Sequence, residues 1–322
     1  MSSRHMPRIS VITPSYNQAQ FLERTILSVL HQAYPNLQYG IVDGGSTDGS
    51  IEIINKYRNQ IDFAIIEKDR GQADALNKGM KRANGEIVCY INSDDTLLHN
   101  ALNTVGKHFK DRPEDLWIIG DCLYIDEQGK VMIYPETNTH RMVATDIDGL
   151  AHVLIRNKPV EMPQPGIFWK RSLLDRFGYF DETFHYTFDY DMWCRFLAAG
   201  LRPTIIHADL ATYRIHDTSK TCAQRPQFLN EHIKTEKRYA KYLHGKQRFL
   251  LAKAIGYRRR QYITLTAQRR PWKQIITHPW WLASQQILDL LINGPKNNTI
   301  NTTRTRETTI PLNNPNISRN AA

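Results

Sequence analysis

Between Arg8 and Ile91 the chain alternates short β-branched runs with stretches of helical periodicity. That alternation restricts the fold more than any other feature of the sequence. Arg8-Ile-Ser-Val-Ile-Thr13, closed by Pro14, reads as a strand, and Phe21 to Gln32 carries apolar residues at helical spacing. Leu37 to Val42 is a second strand ending in the turn Asp43-Gly-Gly-Ser46. Asp48 is placed to cap a helix running to about Tyr57. Phe63 to Ile66 is a third strand, Gln72 to Ala83 a helix stopped by Asn84-Gly85, and Glu86 to Ile91 a fourth strand. Strands joined through helices by connections of a few residues predict right-handed βαβ units on a mostly parallel sheet, an α/β fold. Further along, the pattern predicts a helix near Ala101 to Phe109, a strand near Leu116 to Ile119 and a hairpin across Asp126 to Gly129. It then predicts a helix from Asp189 to Ala199, a strand over Pro203 to Ile206, and an extended segment Ala208 to Arg214.

Ligands of an open parallel sheet bind outside the carboxyl ends of its strands. Polar groups collect there: Asn17 after the first strand, Asp43 after the second, Asp69 after the third, and Asn92, Asp94 and Asp95 after the fourth. Any one of them could be a turn or cap residue; four successive strand ends aimed at one crevice point to a ligand. The adjacent carboxylates of Asp94 and Asp95 repel unless a cation lies between them, and hard oxygen donors suit Mg²⁺ or Mn²⁺. Such ions take phosphate oxygens as further ligands, so a diphosphate is expected. The chain has no GxxxxGK[ST] loop and no GxGxxG after its first strand. Arg70 and Lys78 are the cations that could assist, or they lie on solvated helix faces.

Several segments taken in order, Ile9-Ser-Val-Ile-Thr-Pro-Ser-Tyr-Asn17, Val42-Asp-Gly-Gly-Ser-Thr-Asp-Gly49, Lys68 to Gly79, Ala83-Asn-Gly-Glu86 and Tyr90-Ile-Asn-Ser-Asp-Asp95, resemble the family 2 inverting glycosyltransferases. The resemblance covers residues 8–220. It implies a GT-A fold, a nucleotide-sugar donor and a divalent metal. By that likeness Thr13 and Pro14 would line the nucleoside pocket, and Asp43 and Asp69 would contact the base. Asn92-Ser-Asp94 matches the DxD motif, with Asn92 in place of its first Asp. Asp94, with Asp95 beside it, would hold the metal and the diphosphate. Gln164-Pro-Gly-Ile-Phe-Trp169 and Phe188-Asp-Tyr-Asp191 resemble the acceptor side of the family. An acceptor hydroxyl needs a general base as it attacks. Asp189 and Asp191 are the candidates, Asp189 matching the base position better; either could also be only a helix-start residue. Arg195 is spaced to pair with Asp191. His216, in Tyr213-Arg-Ile-His216, would complete the metal shell or touch the diphosphate, and Gln164 would lie near the donor sugar. UDP is the expected nucleotide, and a glycan or lipid-linked molecule of the cell envelope or an exopolysaccharide is the expected acceptor. The rival readings are a metal-dependent nucleotidyltransferase and an inactive nucleotide-sugar-binding scaffold.

Charge adds a second expectation. Residues 1–224 hold 24 Lys and Arg against 28 Asp and Glu, whereas residues 225–293 hold 14 against 3. The boundaries follow: a catalytic domain over 8–220, with a nucleotide half to residue 98 and an acceptor half from 99, a basic helical extension over 225–293, and a disordered tail over 294–322. Arg258-Arg-Arg260, Arg269-Arg270, Trp272 and Trp280-Trp281 among aliphatic residues suit either an anionic membrane surface or helices packed on the core, and a nucleic-acid partner is not expected. No apolar run of about 18 residues appears, and no apolar segment follows Met1, so neither a spanning helix nor a secretory signal is expected. The cysteines Cys89, Cys122, Cys194 and Cys222 are far apart, as suits buried reduced thiols. The location expected is the cytoplasm, peripheral to the inner face of the membrane.

Overall fold

The computed structural model describes residues 5–135, 138–144, 146–155, 162–216, 219 and 224–267. Its strands and helices run β1 (Ile9–Ser15), α1 (Ala19–Leu30), β2 (Leu37–Asp43), α2 (Ser50–Lys56), β3 (Phe63–Ile66), α3 (Gln72–Arg82), β4 (Ile87–Tyr90), β5 (Thr96–Leu97) and α4 (Ala101–Asp111). There follow β6 (Trp117–Ile125), β7 (Arg141–Met142), α5 (Leu150–Ile155), β8 (Ile167–Lys170), α6 (Ser172–Phe177), α7 (Phe188–Ala198), β9 (Thr204–Arg214), α8 (Arg225–Tyr239) and α9 (Gly245–Ala267).

One nine-stranded sheet has the order β3-β2-β1-β4-β8-β6-β9-β5, with β7 on β6. The four strands read from the first 91 residues are parallel neighbours, β1 at their centre. Every residue of β1 is buried, as a strand covered on both faces must be. Helix α1 turns Phe21, Leu22, Thr25, Ile26 and Val29 onto the sheet. The glycine Gly79 lets α3 approach so closely that a Cβ there would lie 2.5 Å from Ile12 Cγ2. Asp48, placed by sequence as the cap of α2, ties two helix starts together. One of its oxygens accepts the Ser50 N–H at 3.1 Å and the other the Ala19 N–H at 2.9 Å.

Beyond β4 the order departs from the βαβ pattern. Strand β8 enters antiparallel between β4 and β6, so the parallel sheet is interrupted at its middle. Strand β6 is longer than its sequence pattern suggests. The two extended segments predicted at 203–206 and 208–214 are one strand, β9, running parallel to β6 through an irregularity at Gly120–Cys122. On this side the core is aromatic. Trp117 and Trp193 stack at 5.7 Å, and Trp169 meets Trp193 edge-on at 5.1 Å. These rings seat α7 against β6 and β8. Cys89, Cys122 and Cys194 are buried free thiols; Cys222 lies outside the described residues.

One compact unit spans Met1–Thr266. Helix α8 packs on α7 and buries Ile233, Thr235, Glu236 and Tyr239, so it is a layer of this unit rather than the start of a separate extension at residue 225. The remainder of the expected extension, with Trp272, Trp280 and Trp281, and the expected tail lie outside the described residues.

Gly166, in the turn before β8, lies against the backbone of β6: a Cβ there would sit 2.6 Å from the Gly120 carbonyl oxygen. Gly166→Ala is therefore expected to lower stability by about 1–3 kcal/mol, read as a shift of the urea midpoint without a change in slope.

Candidate active site

The carboxyl ends of β1, β2 and β3 form one side of the crevice. Asn17, in the left-handed region at φ 51°, accepts the Thr47 N–H on its side-chain oxygen at 2.9 Å, and its own N–H donates to Ser46 Oγ at 2.8 Å. These bonds lock the loop after β1 to the loop after β2. Asp43 is fully buried. Its carboxylate accepts the N–H groups of Gly45 and Ser46 at 3.0 and 2.7 Å and the Ser46 hydroxyl at 2.7 Å. It shapes the loop that was expected to meet the base. Thr13 is likewise buried, its hydroxyl within 3.1 Å of Tyr39 Oη, and Pro14 is buried beside it. These residues build the floor, while other groups face outward. Asp69 accepts the Gly71 N–H at 2.9 Å and reaches toward Gly44, where a Cβ would lie 2.6 Å from Asp69 Oδ2 and 3.2 Å from the Tyr16 ring. Tyr16 is 61% exposed, an aromatic face beside Asp69 at the mouth of the crevice. It stands inside the first matching segment, and an aromatic between two turn residues was the signal for it. Arg70 points to the outer surface and pairs with Asp74 at 3.1 Å and Glu182 at 2.6 Å. Lys78 pairs with Glu67 at 2.8 Å.

The end of β4 separates its two carboxylates. Asp95 turns inward, accepting the Arg214 N–H on Oδ1 at 2.8 Å and the Asn92 amide on Oδ2 at 3.2 Å. Burial, and then the charge of Asp94, push its carboxyl well above the usual range. The two carboxylates expected as a pair of metal ligands thus point apart, with Asp95 on protein donors. The Asp94 Oδ2 lies 2.9 Å from His216 Nε2. Arg214 steadies both, its Nε donating to the Asp94 carbonyl at 2.6 Å while its guanidinium covers the Phe21 ring at 4.8 Å. Asn92 sits in a chain of amides. Its oxygen accepts Gln72 Nε2 at 2.7 Å, and its nitrogen donates to Gln164 Oε1 at 3.0 Å as well as to Asp95. Gln164 in turn donates to the Tyr90 carbonyl at 3.0 Å.

Helix α7 supplies the last wall. Asp189, in its first turn, accepts the Tyr190 N–H at 2.7 Å and the Tyr90 hydroxyl at 3.4 Å. Surrounding protein raises the Asp189 carboxyl above its ordinary range, although these two donors pull the other way. Burial and the Asp189 charge push the Tyr90 phenol far up, so it stays a donor. Asp189 thereby joins the crevice through the strand that ends in Asn92 and Asp94. Asp191 points elsewhere. It is fully buried, with Oδ2 on Arg195 at 3.0 Å and Oδ1 on Arg238 at 2.9 Å and the Tyr239 hydroxyl at 3.2 Å. Of the two candidates Asp189 meets the Tyr90 hydroxyl, whereas Asp191 ties α7 to α8. Arg238 and Tyr239 come from the basic region that the sequence pattern had left without a role in the site.

Residues 10–149 match the sequence model of glycosyl transferase family 2. An uncharacterised glycosyltransferase of Rickettsia typhi is 27% identical over 222 residues, 67% of this chain and 67% of that protein. The poly(ribitol-phosphate) beta-N-acetylglucosaminyltransferase TarP of Staphylococcus aureus is 36% identical over 120 residues, only 36% of each chain. Among solved structures, residues 1–349 of S. aureus TarS in complex with UDP superpose with a TM-score of 0.55 at 17% identity, covering 80% of this chain and 72% of that one. The mannosyltransferase PcManGT of Pyrobaculum calidifontis, in complex with GDP-Man and Mn²⁺, gives 0.55 at 20% identity, covering 89% and 81%. The fold is GT-A, an α/β sheet flanked by helices.

Asp191→Asn is expected to destabilise the protein by about 1–3 kcal/mol, because it takes the carboxylate from Arg195 and leaves Arg238 with Asp181 alone. Denaturant unfolding reads this directly; a variant as stable as the parent would return Asp191 to the list of possible bases.

Proposed function

We propose that the chain is a family 2 glycosyltransferase that transfers a sugar from a UDP-sugar, with inversion, to a hydroxyl of a cell-envelope glycan or lipid-linked acceptor. The observation that carries this reading is the bond between the Tyr90 hydroxyl and Asp189. It couples a carboxylate with a raised pKa to the strand after which Asn92 and Asp94 follow and whose Tyr90 carbonyl accepts from Gln164. In a single in-line displacement Asp189 takes the acceptor proton as the oxygen attacks the anomeric carbon, and the nucleoside diphosphate leaves from the opposite side. That arrangement inverts the anomeric centre. A nucleotidyltransferase would give Asp189 no task.

On the donor side, Tyr16 offers a stacking face for the base with Asp69 as its polar neighbour, and the loops held by Asn17 and Asp43 keep the pocket in shape. Asn92, oriented by Gln72 and Gln164, offers an amide to the ribose or sugar hydroxyls. Asp94 and His216 suit a divalent cation: 2.9 Å between their ligating atoms is the edge of an octahedron with bonds of about 2.1 Å. Among the described residues no three His, Cys, Asp or Glu side chains gather as a cage, so diphosphate and water oxygens would fill the remaining positions, as Mg²⁺ and Mn²⁺ sites allow. Bound there, the cation would neutralise the charge of the leaving diphosphate. The TarP and TarS relatives support UDP and an envelope glycan, and the Mn²⁺ of PcManGT supports the metal.

Peripheral attachment to an anionic membrane is part of the proposal. Along α9, Phe249, Leu250 and Tyr257 are exposed among Lys246, Arg248 and Lys253, a mixture suited to a headgroup layer. Among the described residues no helix is long and apolar enough to cross a membrane.

Isothermal titration of UDP is expected to show binding with Mn²⁺, none with EDTA, and none for Asp94→Ala in either condition. Silence with UDP, GDP and dTDP alike would mean that the crevice is not a nucleotide site, whereas binding without turnover of any nucleotide-sugar would favour the scaffold reading. A second expectation concerns the base. Asp189→Asn should bind UDP as the parent does and lose transfer by about 10²-fold or more. In the parent, the base must be charged to act. As pH falls through the raised pKa of Asp189 the proton stays on and the rate drops, so the acid limb of kcat lies above the usual Asp value of about 3.9.

A further inference from the structure

Helix α7 starts without a side-chain cap of its own. The N–H groups leading into a helix need acceptors, and a buried entry without them is costly. Here the acceptor comes from 44 to 46 residues further along the chain. The carboxylate of Glu231, on α8, accepts the N–H of His185 on both oxygens at 2.9 and 3.0 Å. Its Oε2 also accepts the N–H of Tyr186 at 2.7 Å and of Thr187 at 3.1 Å. Three successive N–H groups around one oxygen form an anion nest at the positive end of a helix, a place where a carboxylate is held firmly. Glu231 is only 6% exposed.

The same helix grips α7 on either side of the proposed base. His232 stacks on Tyr190 with ring centroids 4.1 Å apart, and the Tyr239 hydroxyl donates to the Asp191 carbonyl at 3.1 Å. Arg238 spans Asp181 at 2.7 Å and Asp191 at 2.9 Å. Thr187, Tyr190 and Asp191 are thus each held by α8, and Asp189 lies among them. Residues 225–267 contain only two acidic side chains, Glu231 and Glu236, and both are buried. A solvated basic face has no reason to bury its only carboxylates.

We propose that α8 belongs to the catalytic apparatus and that Glu231 is a positioning residue: by fixing residues 185–187 it sets the first turn of α7 and with it the direction of the Asp189 carboxylate. This rests on the reading of Asp189 as the base. The donor pocket lies on the other strands and makes no use of Glu231, so losing Glu231 separates turnover from donor affinity. A displacement of about 1 Å at a reacting group costs on the order of 10²-fold in rate.

The test uses the full chain with Glu231→Gln and Glu231→Ala. UDP affinity is measured by titration with Mn²⁺, turnover by UDP release from a panel of UDP-sugars, and order in residues 185–191 by amide hydrogen exchange. Expected are an unchanged UDP affinity, faster exchange at residues 185–187, and turnover reduced about 10²-fold in Glu231→Ala. Glu231→Gln keeps one oxygen acceptor and the side-chain shape, so it should fall between Ala and the parent; it also carries the test if the Ala variant does not fold. Folded variants that turn over at the parental rate would overturn the proposal. So would equal losses of UDP affinity and turnover, which would mark a general disturbance of the fold. Asp189→Asn measured alongside separates the two readings. If it retains turnover, the base assignment fails; if it is inactive while Glu231→Gln is unimpaired, only the role of Glu231 fails.

Discussion

Two neighbouring carboxylates at the end of a buried strand repel each other, and the arrangement of the site follows from how that conflict is resolved. Asp95 is withdrawn into the protein, where the Arg214 N–H and the Asn92 amide receive it. Asp94 is left at the surface of the crevice beside His216. Arg214 serves both halves of this division: its backbone binds Asp95, and its guanidinium binds the carbonyls of Asp94, Asp126 and Glu127 while covering Phe21. The last residues of β9, the turn after β6 and the start of α1 are therefore all tied to the end of β4. A charge conflict between adjacent residues has become the joint between the two halves of the sheet.

The second wall obeys a different logic. The carboxylate proposed as the base, Asp189, is held in surroundings that oppose its charge while two donors moderate the effect. Such a group has to be held in direction as well as in environment. The Trp117, Trp169 and Trp193 cluster fixes α7 from the sheet side, and α8 fixes it from the other. Asp191 belongs to that support. With both oxygens engaged by Arg195, Arg238 and Tyr239, it anchors the helix that Asp189 needs.

The first 91 residues were legible in sequence because parallel strands covered on both faces must be continuous apolar runs, and the helices between them must show a single apolar stripe. Asn17, Asp43, Asp69, Asn92 and Asp94 stood out for the same reason: each lies within four residues of the end of such a strand. Other features had no local signal. The place of β8 between β4 and β6 is a long-range pairing that Ile167 to Lys170 does not encode in its own pattern. The fate of Asp95 depends on an N–H that lies 119 residues further on. That Asp43 spends its carboxylate on Gly45 and Ser46 follows from the turn after β2, and a sequence motif does not distinguish a loop-shaping Asp from a ligand-binding one. The basic character of α8 suited a membrane surface or a helix packed on the core, yet it is the two acidic residues, Glu231 and Glu236, that are buried.

The same geometry accounts for Asn92 at a position where the resemblance leads one to expect Asp. The side-chain nitrogen of Asn92 donates to the Asp95 carboxylate and to the Gln164 oxygen, while its oxygen accepts from Gln72. An aspartate could accept from Gln72, but it has no proton for the other two contacts. It would set a negative oxygen against the buried Asp95 carboxylate and against the Gln164 carbonyl oxygen, in a place where an unmet acceptor is expensive. Gln164 could answer only by turning its amide, at the loss of its bond to the Tyr90 carbonyl, and Asp95 only by keeping a proton on its carboxyl. The amide at position 92 is thus the complement of a buried acid at position 95. The departure from the expected motif is part of how this chain keeps Asp94 as the one carboxylate of the pair that faces the crevice.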